Sequence, residues 1–409
     1  MSSSEKKIIL LRLPHSPEWN SCEKILNNIQ AIYEEAYPGR LTVVDTTDLK
    51  IIRDLAPDVV IIADHRLNFE HTIGAIKSVL SKPIDWVIHA YGCFTGRISE
   101  FMNAYQRMGD DRFKIIAASK AHQQVIASLF TNINIVEHTP FPFRKVDAFF
   151  SEEVRKKTRD EFSLKNDETV LMYAGRISFQ KNVHQLIKLI NQYNESIQNK
   201  KIKLIICGEI DDLNPQTDEA GQKLGLAKEL FEAELQKSNT HVMYLGQLNH
   251  DRLIKMYHAV DGFISLSTHF GEDYGFAVAE ALGHGLPCFL SQWGGYRDFA
   301  SLPQVQFVHP INSEREFIFE FEDFKRFDFF NFENRNDNIQ QFLSLFSDEA
   351  VQTKYKNHLD LFHPRSRLTR LAYTLYNIDY GMTPYLQKKQ LFESGLLGPF
   401  FEDPVKSST

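Results

Sequence analysis

The sequence lacks the cysteine pairs, long apolar runs and excess positive charge that mark several classes of protein. Its four cysteines are scattered without a C-x-x-C pair, which argues against a disulfide framework or a zinc site and favours reduced thiols. No apolar run approaches the ~20 residues of a membrane-spanning helix, and the run near the N-terminus is too short for a secretory signal. The net charge of −7 argues against a dedicated nucleic-acid binder. We therefore expect a cytoplasmic protein without a nucleic-acid partner, with weak peripheral contact to the inner face of the membrane as an open alternative.

Several motifs of catalysis and phosphate binding are also missing. The sequence has no G-x-x-x-x-G-K-[ST] phosphate loop and no G-x-G-x-x-G dinucleotide fingerprint. It has no G-x-S-x-G nucleophile elbow, and no D-x-D stands out as a metal–diphosphate clamp. These absences argue against a phosphate-loop nucleotidase, a nicotinamide-dependent enzyme and a serine hydrolase, and we predict no metal site.

What the sequence does contain is a repeated alternation of apolar runs and amphipathic segments over 409 residues, enough for two domains. Continuous Val/Ile runs without a period of two indicate strands buried on both faces, which are typical of a parallel sheet between helical layers. The predicted strands include KKIILLRL, DVVIIADH, DWVIHAYG, FKIIAASK, TVLMYAGRI, IKLIICGE, HVMYLGQL, GFISLS and PCFLS. We therefore predict an α/β fold of two doubly wound, Rossmann-like domains.

The domain boundary is predicted at the polar segment FSEEVRKKTRDEFSLKNDE, after which the alternation begins again. We assign residues 1–147 to an N-terminal domain and 148–363 to a C-terminal domain. A helix at about 364–381 is expected to pack back on the first domain, and the role of the tail at 382–409 is left open. The Phe-rich segment 316–334 is interpreted as rings buried against the second domain, with an acceptor or partner surface as the alternative.

The stretch AGRISFQKN forms the first of three strand-to-helix junctions that are suited to a ligand, because ligands of open parallel sheets bind beyond the carboxyl ends of the strands. Gly175 allows close approach of the backbone, and Asn182 can cap the following helix. Arg176 and Lys181 place two cations beside a helix N-terminus, an arrangement suited to a phosphate or diphosphate. A pair of solvated surface cations is the alternative.

The stretch GEDYGFAVAEALGHGLP forms the second junction. Glu272 lies in a loop and Glu280 about one turn into a helix, with a glycine turn between them at Gly275. Backbone N–H groups near Gly275 and Phe276 would face an anion, and the two carboxylates would accept hydrogen bonds from the hydroxyls of a sugar or ribose. The alternative is that each glutamate only favours the positive end of the helix, worth roughly 0.3–1 kcal/mol.

Two other places carry weaker signals. SQWGGYRD, with Gly294 and Gly295 after a strand, predicts either backbone close to a ligand or an ordinary turn. In the first half, DWVIHAYG places His89 near the carboxyl end of a strand, where a structural histidine and a functional one are both open. The pair Asp64 and His65 ends another strand in a similar way.

The ordered set GRISFQKN, LIICGE, HVMYLGQL and GEDYGFAVAEALGHGLPCFLSQWGG resembles the C-terminal donor domain of retaining GT-B glycosyltransferases of the family-four type, marked by E-x7-E. The order and spacing match over about residues 169–298, whereas the first half is similar only in its strand pattern and in VIHAYG. The resemblance implies a nucleoside-diphosphate sugar held in a cleft between two facing Rossmann-like domains.

The resemblance also implies roles for individual residues. Arg176 and Lys181 would hold the diphosphate and stabilise it as it departs. Glu272 would bind hydroxyls of the donor sugar, Glu280 would bind the ribose, and His89 would approach the donor sugar from the first domain. The remaining donor-binding positions implied are Gly175, Gly208, Leu248, Tyr274, Gly275 and Phe276.

The activity implied is transfer of a hexosyl or N-acetylhexosaminyl group with retention of anomeric configuration. The donor would be a UDP- or GDP-sugar, the acceptor a glycan, glycolipid or other hydroxyl compound, and no metal or other cofactor would be required. Synthesis of a surface polysaccharide is a plausible setting. A phosphorylase on the same fold and a non-catalytic sugar-nucleotide-binding or scaffold protein are the alternatives.

Overall fold

The computed structural model divides into two compact units, Met1–Lys145 with Leu345–Gly381 and, in the second, Val146–Ser344. The residues that it describes are 6–14, 20–45, 48–64, 66–92, 98–197, 201–211, 226–238, 241–269, 271–313, 317–330 and 334–379. The tail predicted at 382–409 lies outside these ranges.

The strands, in chain order, are β1 (Ile8–Arg12), β2 (Leu41–Asp45), β3 (Val59–Ile62), β4 (Asp85–Ala90), β5 (Arg112–Ala117), β6 (Val136–His138), β7 (Thr169–Ala174), β8 (Ile202–Cys207), β9 (Val242–Gly246), β10 (Gly262–Ser265), β11 (Cys288–Ser291), β12 (Val305–Val308), β13 (Ile311–Asn312), β14 (Phe317–Ile318) and β15 (His363–Pro364).

The α-helices are α1 (Asn20–Ala36), α2 (Leu49–Leu55), α3 (Phe69–Val79), α4 (Ile98–Arg107), α5 (Lys120–Ala127), α6 (Glu152–Glu161), α7 (Val183–Ser196), α8 (Leu226–Lys237), α9 (His250–Ala259), α10 (Phe276–Gly283), α11 (Phe321–Phe324), α12 (Arg335–Phe346), α13 (Asp348–Asn357) and α14 (Arg370–Asp379). Short 3-10 helices cover Phe179–Lys181 and Gly294–Ser301.

The first unit is built on a parallel sheet in the order β2-β1-β3-β4-β5, with β6 parallel to β5 and the short β15 antiparallel to it. Every residue of β3 and β4 is buried, as expected for strands covered on both faces. The order of the strands reverses between β1 and β3, whose residues Ile8 and Val59 are in register. This arrangement confirms the doubly wound sheet predicted from the Val/Ile runs.

The chain returns to the first unit at Leu345, before the boundary that we placed at residue 363. The amide of Asp348 donates to the carbonyl of Phe143, and helix α13 packs along α1. Lys114 Nζ donates to the carbonyl of Asn357 at 3.1 Å. These contacts place the segment from Leu345 onward in the first unit. The sequence of this segment is polar and does not indicate which unit it packs on.

The second unit is built on a six-stranded parallel sheet in the order β9-β8-β7-β10-β11-β12. Counted from β7, this is the order 3-2-1-4-5-6 that is typical of dinucleotide-binding folds, and it reverses between β7 and β10. Helix α7 buries one face against this sheet through residues that include Leu186 and Ile190. The carboxyl ends of β7 and β10 therefore flank the crevice where ligands of such sheets bind.

The Phe-rich segment contributes its rings to the core of the second unit. Phe319, Phe324 and Phe329 belong to the same buried cluster as the sheet residues, and the rings of Phe289 and Phe329 lie 4.7 Å apart. For the described part of this segment, the burial supports the packing interpretation over a partner surface.

Within the described ranges, no helix is both long enough and apolar enough to cross a lipid bilayer.

Candidate functional site

Three loops meet at the carboxyl edge of the second sheet, after β7, β10 and β11. The side-chain amide of Asn182 donates to the carbonyl of Leu266 at 2.8 Å and to Thr268 Oγ1 at 3.0 Å. The hydroxyl of Ser291 donates to the carbonyl of Ser267 at 2.6 Å. Because these loops hydrogen-bond one another, the side chains that they carry have fixed positions beside the point where the strand order reverses.

The first junction depends on two glycines in contact. Gly208 has φ 149°, and a Cβ at this position would lie 1.8 Å from the carbonyl oxygen of Gly175. The amide of Gly208 also donates to the carbonyl of Gly246 at 2.8 Å. Only glycine fits at 208, so the predicted site residues Gly175 and Gly208 lie together at adjacent strand ends. Leu248, half-buried, follows in the loop after β9.

Arg176 is the exposed cation of the first junction. Its side chain is 47% exposed and its guanidinium pairs with Asp211 Oδ2 at 2.5 Å. The hydroxyl of Tyr173 donates to the backbone carbonyl of Arg176 at 2.7 Å and fixes the loop. An exposed ion pair contributes little stability, so this guanidinium can exchange its partner for another anion at small cost.

Lys181 and Glu272 join the first junction to the second. Lys181 Nζ lies 2.5 Å from Glu272 Oε2, and the two side chains are 15% and 9% exposed. Burial by itself raises the pKa of Glu272, but the neighbouring ammonium of Lys181, with His269 and a hydrogen bond from Ser267, outweighs it and holds that pKa below its usual range. Glu272 is therefore a fixed carboxylate at neutral pH.

The turn between the two glutamates is shaped by its neighbours. Gly275 is in the left-handed region with φ 80°, and a Cβ there would lie 2.3 Å from Cε1 of Tyr296. Tyr274 is buried with its ring 5.5 Å from Phe299, and Phe276 is the first residue of α10. The glycine is thus required both by its backbone angle and by the ring that fills its side.

The third junction packs against the loop of the second junction and is hydrogen-bonded to it. The amide of Gly295 donates to the carbonyl of Glu272 at 2.7 Å. A Cβ on Gly295 would lie 2.3 Å from the carbonyl carbon of Asp273. The absence of a side chain at Gly295 therefore lets the two backbones pack in contact, a closer approach than an ordinary turn requires.

Glu280 is the second buried carboxylate of the E-x7-E stretch, with 6% of its surface exposed. Its Oε2 accepts a hydrogen bond from the hydroxyl of Tyr257 at 3.1 Å. Glu280 lies on α10, the helix that begins directly after the turn at Gly275. The structure thus brings Glu280 and the turn onto one rigid element.

His89 lies in the first unit and is only 3% exposed. Its Nε2 is 2.9 Å from the hydroxyl of Tyr33, which is itself 2.7 Å from Nδ1 of His358. Burial lowers the pKa of His89 to about 3, so the ring is neutral. Enclosure in this hydrogen-bonded cluster favours the structural alternative for His89.

Asp64 is used within the first unit in a similar way. Its carboxylate accepts from the amide of Leu13 at 3.0 Å and from Arg66, whose Nε and second guanidinium nitrogen lie at 2.8 and 2.6 Å. The carboxylate thus ties the ends of β1 and β3 together. His65, the other residue of the predicted pair, lies outside the described residues.

Several residues that surround the candidate site were not predicted from the sequence. Tyr296, Ser265, Gln180 and Tyr257 touch it through side chains, and Gln180 Oε1 lies 2.7 Å from Nδ1 of His269. Gln180 and Tyr296 lie within the first and third junction stretches but were not singled out there, and Tyr257 and Glu280 come from different helices. Only the adjacent Gly294–Gly295 pair could have drawn attention to Tyr296.

Among the residues that the structure describes, no group of three or more His, Cys, Asp and Glu side chains is placed to hold a metal ion.

Residues 154–325 match the model of the family described as "Glycosyl transferases group 1". This segment lies in the second unit and carries every residue of the candidate donor site; His89, Asp64 and His65 lie outside it. An uncharacterized glycosyltransferase of Methanocaldococcus jannaschii is 23% identical over 200 residues, 48% of this chain and 45% of the relative. The lipopolysaccharide 1,2-N-acetylglucosaminetransferase of Salmonella typhimurium is 28% identical over 158 residues, 38% of this chain and 39% of the relative. The chain thus spans less than half the length of each of these relatives.

Solved structures resemble the whole chain more extensively. The Anabaena protein Alr3699/HepE, in complex with UDP and glucose, has a TM-score of 0.56 at 14% identity, with 95% of this chain and 99% of that chain covered. A glycosyltransferase from Rickettsia africae has a TM-score of 0.54 at 14% identity, with 96% and 99% covered. These likenesses show the fold, an α/β architecture of the GT-B class with two Rossmann-like units.

Proposed function

We propose that the protein is a retaining glycosyltransferase that moves a sugar from a nucleoside-diphosphate sugar to a hydroxyl acceptor. The observation that carries this proposal is the pairing of Lys181 and Glu272 at 2.5 Å beside the switch point of the second sheet, with the buried Glu280 on the next helix. A cation and two carboxylates at this edge match a ligand that has both phosphates and hydroxyls. The family match of residues 154–325 supports the same activity.

The diphosphate would bind between the first junction and the start of α10. Among the described residues, Lys181 pairs with Glu272 and Arg176 with Asp211, and both cations could exchange these partners for a phosphate. The backbone N–H groups after Gly275 open α10 and would add donors at its positive end. Gly175 would let the backbone of the first junction approach the phosphates closely.

The hydroxyl groups of the donor would donate hydrogen bonds to the two carboxylates. Glu272 would accept hydrogen bonds from the sugar, assisted by the backbone of Tyr274–Phe276, and Glu280 from the ribose. The loop around Leu248 would meet the nucleobase, and Gly208 would keep the strand ends close enough for this arrangement. These assignments are the ones that the resemblance to family-four glycosyltransferases implies, and the position of the residues at one edge of one sheet supports them.

In the reaction, the acceptor oxygen forms a bond to the anomeric carbon while the bond from that carbon to the diphosphate oxygen breaks. The proton of the acceptor passes to the departing phosphate oxygen on the same face of the sugar. Arg176, Lys181 and the N-terminus of α10 stabilise the negative charge that develops on the diphosphate, an electrostatic contribution that is usually the largest in such catalysis. No metal or other cofactor is required in this scheme, and no side chain is assigned as a general base.

His89 has a different part in the proposal. Its burial and its hydrogen bond to Tyr33 support a role in packing the first unit. We therefore expect His89→Gln to change stability more than the affinity for a nucleotide.

The acceptor would be a glycan, a glycolipid or another hydroxyl compound, in the synthesis of a surface polysaccharide or glycolipid. The name of the Salmonella relative, a transferase for lipopolysaccharide, supports this class of acceptor and the N-acetylhexosaminyl alternative for the group transferred. A cytoplasmic location, with weak peripheral contact to the membrane as the alternative, stays part of the proposal.

A thermal-shift screen of the purified protein against UDP, GDP, ADP and their sugar conjugates tests the donor class. UDP comes first, because the Anabaena structure holds UDP. A ligand at ~100 times its Kd adds about 2.7 kcal/mol to the stability of the folded state and raises the midpoint. A shift with one nucleotide and its sugar conjugate would fix the donor, whereas no shift with any of them would refute the proposal.

Turnover assays distinguish the proposed transferase from a scaffold or binding protein and from a phosphorylase. A scaffold or binding protein would shift with a nucleotide sugar but would not consume it in the presence of candidate acceptors. A phosphorylase would release a sugar phosphate when inorganic phosphate is added, which a transferase would not. The anomeric configuration of the new glycosidic bond, read by NMR and compared with that of the donor sugar, tests retention.

A further inference from the structure

We propose that Tyr296 and Tyr257 are positioning residues that hold the two carboxylates of the donor site, Glu272 and Glu280, each from its buried side. This inference rests on the proposed function and extends it to residues outside the E-x7-E stretch. Each tyrosine comes from a different element from the carboxylate that it contacts, so the pairs exist only in the folded unit.

The first pair is part of a chain of hydroxyl groups. Tyr296 is 3% exposed, and its hydroxyl lies 2.9 Å from Oγ of Ser265, the last residue of β10. The preceding residue, Gly295, donates its amide to the carbonyl of Glu272 at 2.7 Å, which holds Tyr296 beside this glutamate. Burial and, next, the negative charge of Glu272 raise the pKa of Tyr296. A carboxylate can only accept, so in the proposed arrangement Tyr296 directs its proton toward Glu272 and Ser265 donates to Tyr296. The end of the central strand thus fixes the carboxylate through the tyrosine.

The ring of Tyr296 also shapes the turn that follows Glu272. A Cβ added at Gly275 would lie only 2.3 Å from Cε1 and 2.7 Å from Cδ1 of Tyr296. The left-handed backbone at Gly275 leads directly into α10, so the ring fixes the direction in which that helix begins. One residue therefore orients both the carboxylate and the N-terminus proposed to face the phosphates.

The second pair has the same chemistry on another helix. Tyr257, on α9, is fully buried, and its hydroxyl donates to Glu280 Oε2 at 3.1 Å, with the carbonyl of Ala277 farther away at 3.4 Å. Its ring stacks on His284 at 5.1 Å with an interplanar angle of 21°. Packing fixes the ring and therefore the direction of its hydroxyl toward Glu280.

The two pairs predict a separation of effects, because Glu272 faces the sugar and Glu280 the nucleoside in the proposed function. Loss of the Tyr257 hydroxyl should weaken UDP and a UDP-sugar equally. Loss of the Tyr296 hydroxyl should leave the affinity for UDP unchanged and impair only the steps that involve the sugar. A merely structural tyrosine would produce neither pattern.

The experiment compares Tyr296→Phe and Tyr257→Phe with the wild type, using isothermal titration with UDP and with the UDP-sugar that the wild type turns over, or GDP compounds if the donor screen identifies them. We expect Tyr257→Phe to weaken both ligands about tenfold, the usual size of a lost hydrogen bond to a charged group. Tyr296→Phe should keep the Kd of UDP and lower kcat/KM about tenfold.

The pH profile adds a readout that packing alone would not change. The Tyr296 hydroxyl stabilises the ionised form of Glu272, so its removal should move the acid limb of kcat/KM to higher pH. Ser265→Ala should move this limb in the same direction by less, and serves if Tyr296→Phe folds poorly. Tyr193→Phe, a buried tyrosine that packs on Phe329 in the same unit, should leave every quantity at the wild-type value.

The outcomes distinguish the two proposals. A wild type that binds and turns over a nucleotide sugar, with both phenylalanine variants unchanged or both equally weak toward UDP and the UDP-sugar, would overturn the positioning roles alone. A wild type that binds no nucleotide would overturn the proposed function and, with it, this inference. The expected pattern is that Tyr257→Phe weakens both ligands whereas Tyr296→Phe impairs only the steps that involve the sugar. This pattern would support both the proposed function and the positioning roles.

Discussion

At the scale of single residues, the candidate site depends on an ion pair in which Lys181 and Glu272 neutralise each other's charge. Lys181 and Glu272 are each mostly buried, so each needs the other's charge while the ligand is absent. A diphosphate would take over the ammonium and leave the carboxylate to the sugar hydroxyls. The same pair therefore contributes to stability in the empty protein and to recognition in the proposed complex.

This double role makes Glu272 a sharp test. Glu272→Gln should reduce transfer at least about 100-fold, because an electrostatic contact to the reacting sugar is lost. It should also destabilise the second unit by about 1–3 kcal/mol, because Lys181 keeps its charge without a partner. Steady-state kinetics and urea unfolding measure the two effects.

Adding Lys181→Gln to this variant separates stability from chemistry. The double variant should regain part of the lost stability but no transfer, and the exposed Glu322→Gln should match the wild type in both. Transfer at the wild-type rate by Glu272→Gln, at unchanged donor affinity, would remove Glu272 from the site.

At the scale of elements, the site depends on how closely the strand ends β7, β8 and β9 approach. Gly208 carries this contact, since its α-carbon faces the carbonyl oxygen of Gly175 and its amide bonds the carbonyl of Gly246. The adjacent loops are joined by Asn182, whose amide reaches Leu266 and Thr268. The elements thus supply the rigidity that a precise donor site requires.

Alanine substitutions at two of these glycines should give unequal losses. Gly208→Ala should destabilise the protein by about 3 kcal/mol, because the new Cβ overlaps backbone that cannot move and the left-handed angle is strained. Gly246→Ala has a positive φ of 66°, against 149° at Gly208, but no atom lies within 4 Å of the new Cβ, so about 1 kcal/mol is expected. Chemical denaturation measures both, and equal losses would contradict the role of the close contact.

At the scale of the whole molecule, buried neutral histidines make stability depend on pH. Burial lowers the pKa of His89 to about 3 and that of His122 to about 4. In the unfolded chain both titrate near ~6.5, so below that pH the unfolded state binds more protons than the folded state. This contribution to stability is complete above ~6.5 and is lost as the pH falls toward the folded values.

Urea midpoints measured between pH 7.5 and 5.0 test this linkage. Each of the two histidines should cost up to about 1.4 kcal/mol per pH unit below its unfolded pKa. His122→Asn should reduce the slope, and an exposed histidine such as His250 changed to Asn should not. A midpoint that does not fall over this range would contradict the neutral state of the buried rings.

The local pattern of residues along the chain was enough to predict much of the fold and part of the candidate site. Continuous Val/Ile runs predicted both parallel sheets, since a strand covered on both faces must be apolar along its whole length. The stretches around Lys181 and Glu272 were predicted as ligand contacts from the residues that follow each strand. These features depend on neighbours in the chain, which a sequence displays directly.

Other features were decided only by the tertiary structure. The return of the chain to the first unit at Leu345, the burial of His89 against Tyr33, and the contacts of Tyr296 and Tyr257 with the two glutamates all join distant parts of the sequence. Most of these contacts are hydrogen bonds of single polar side chains, which leave no periodic pattern behind. The sequence therefore indicates which edge of the second sheet carries the candidate site, and the packing of that sheet decides which side chains lie against its two carboxylates.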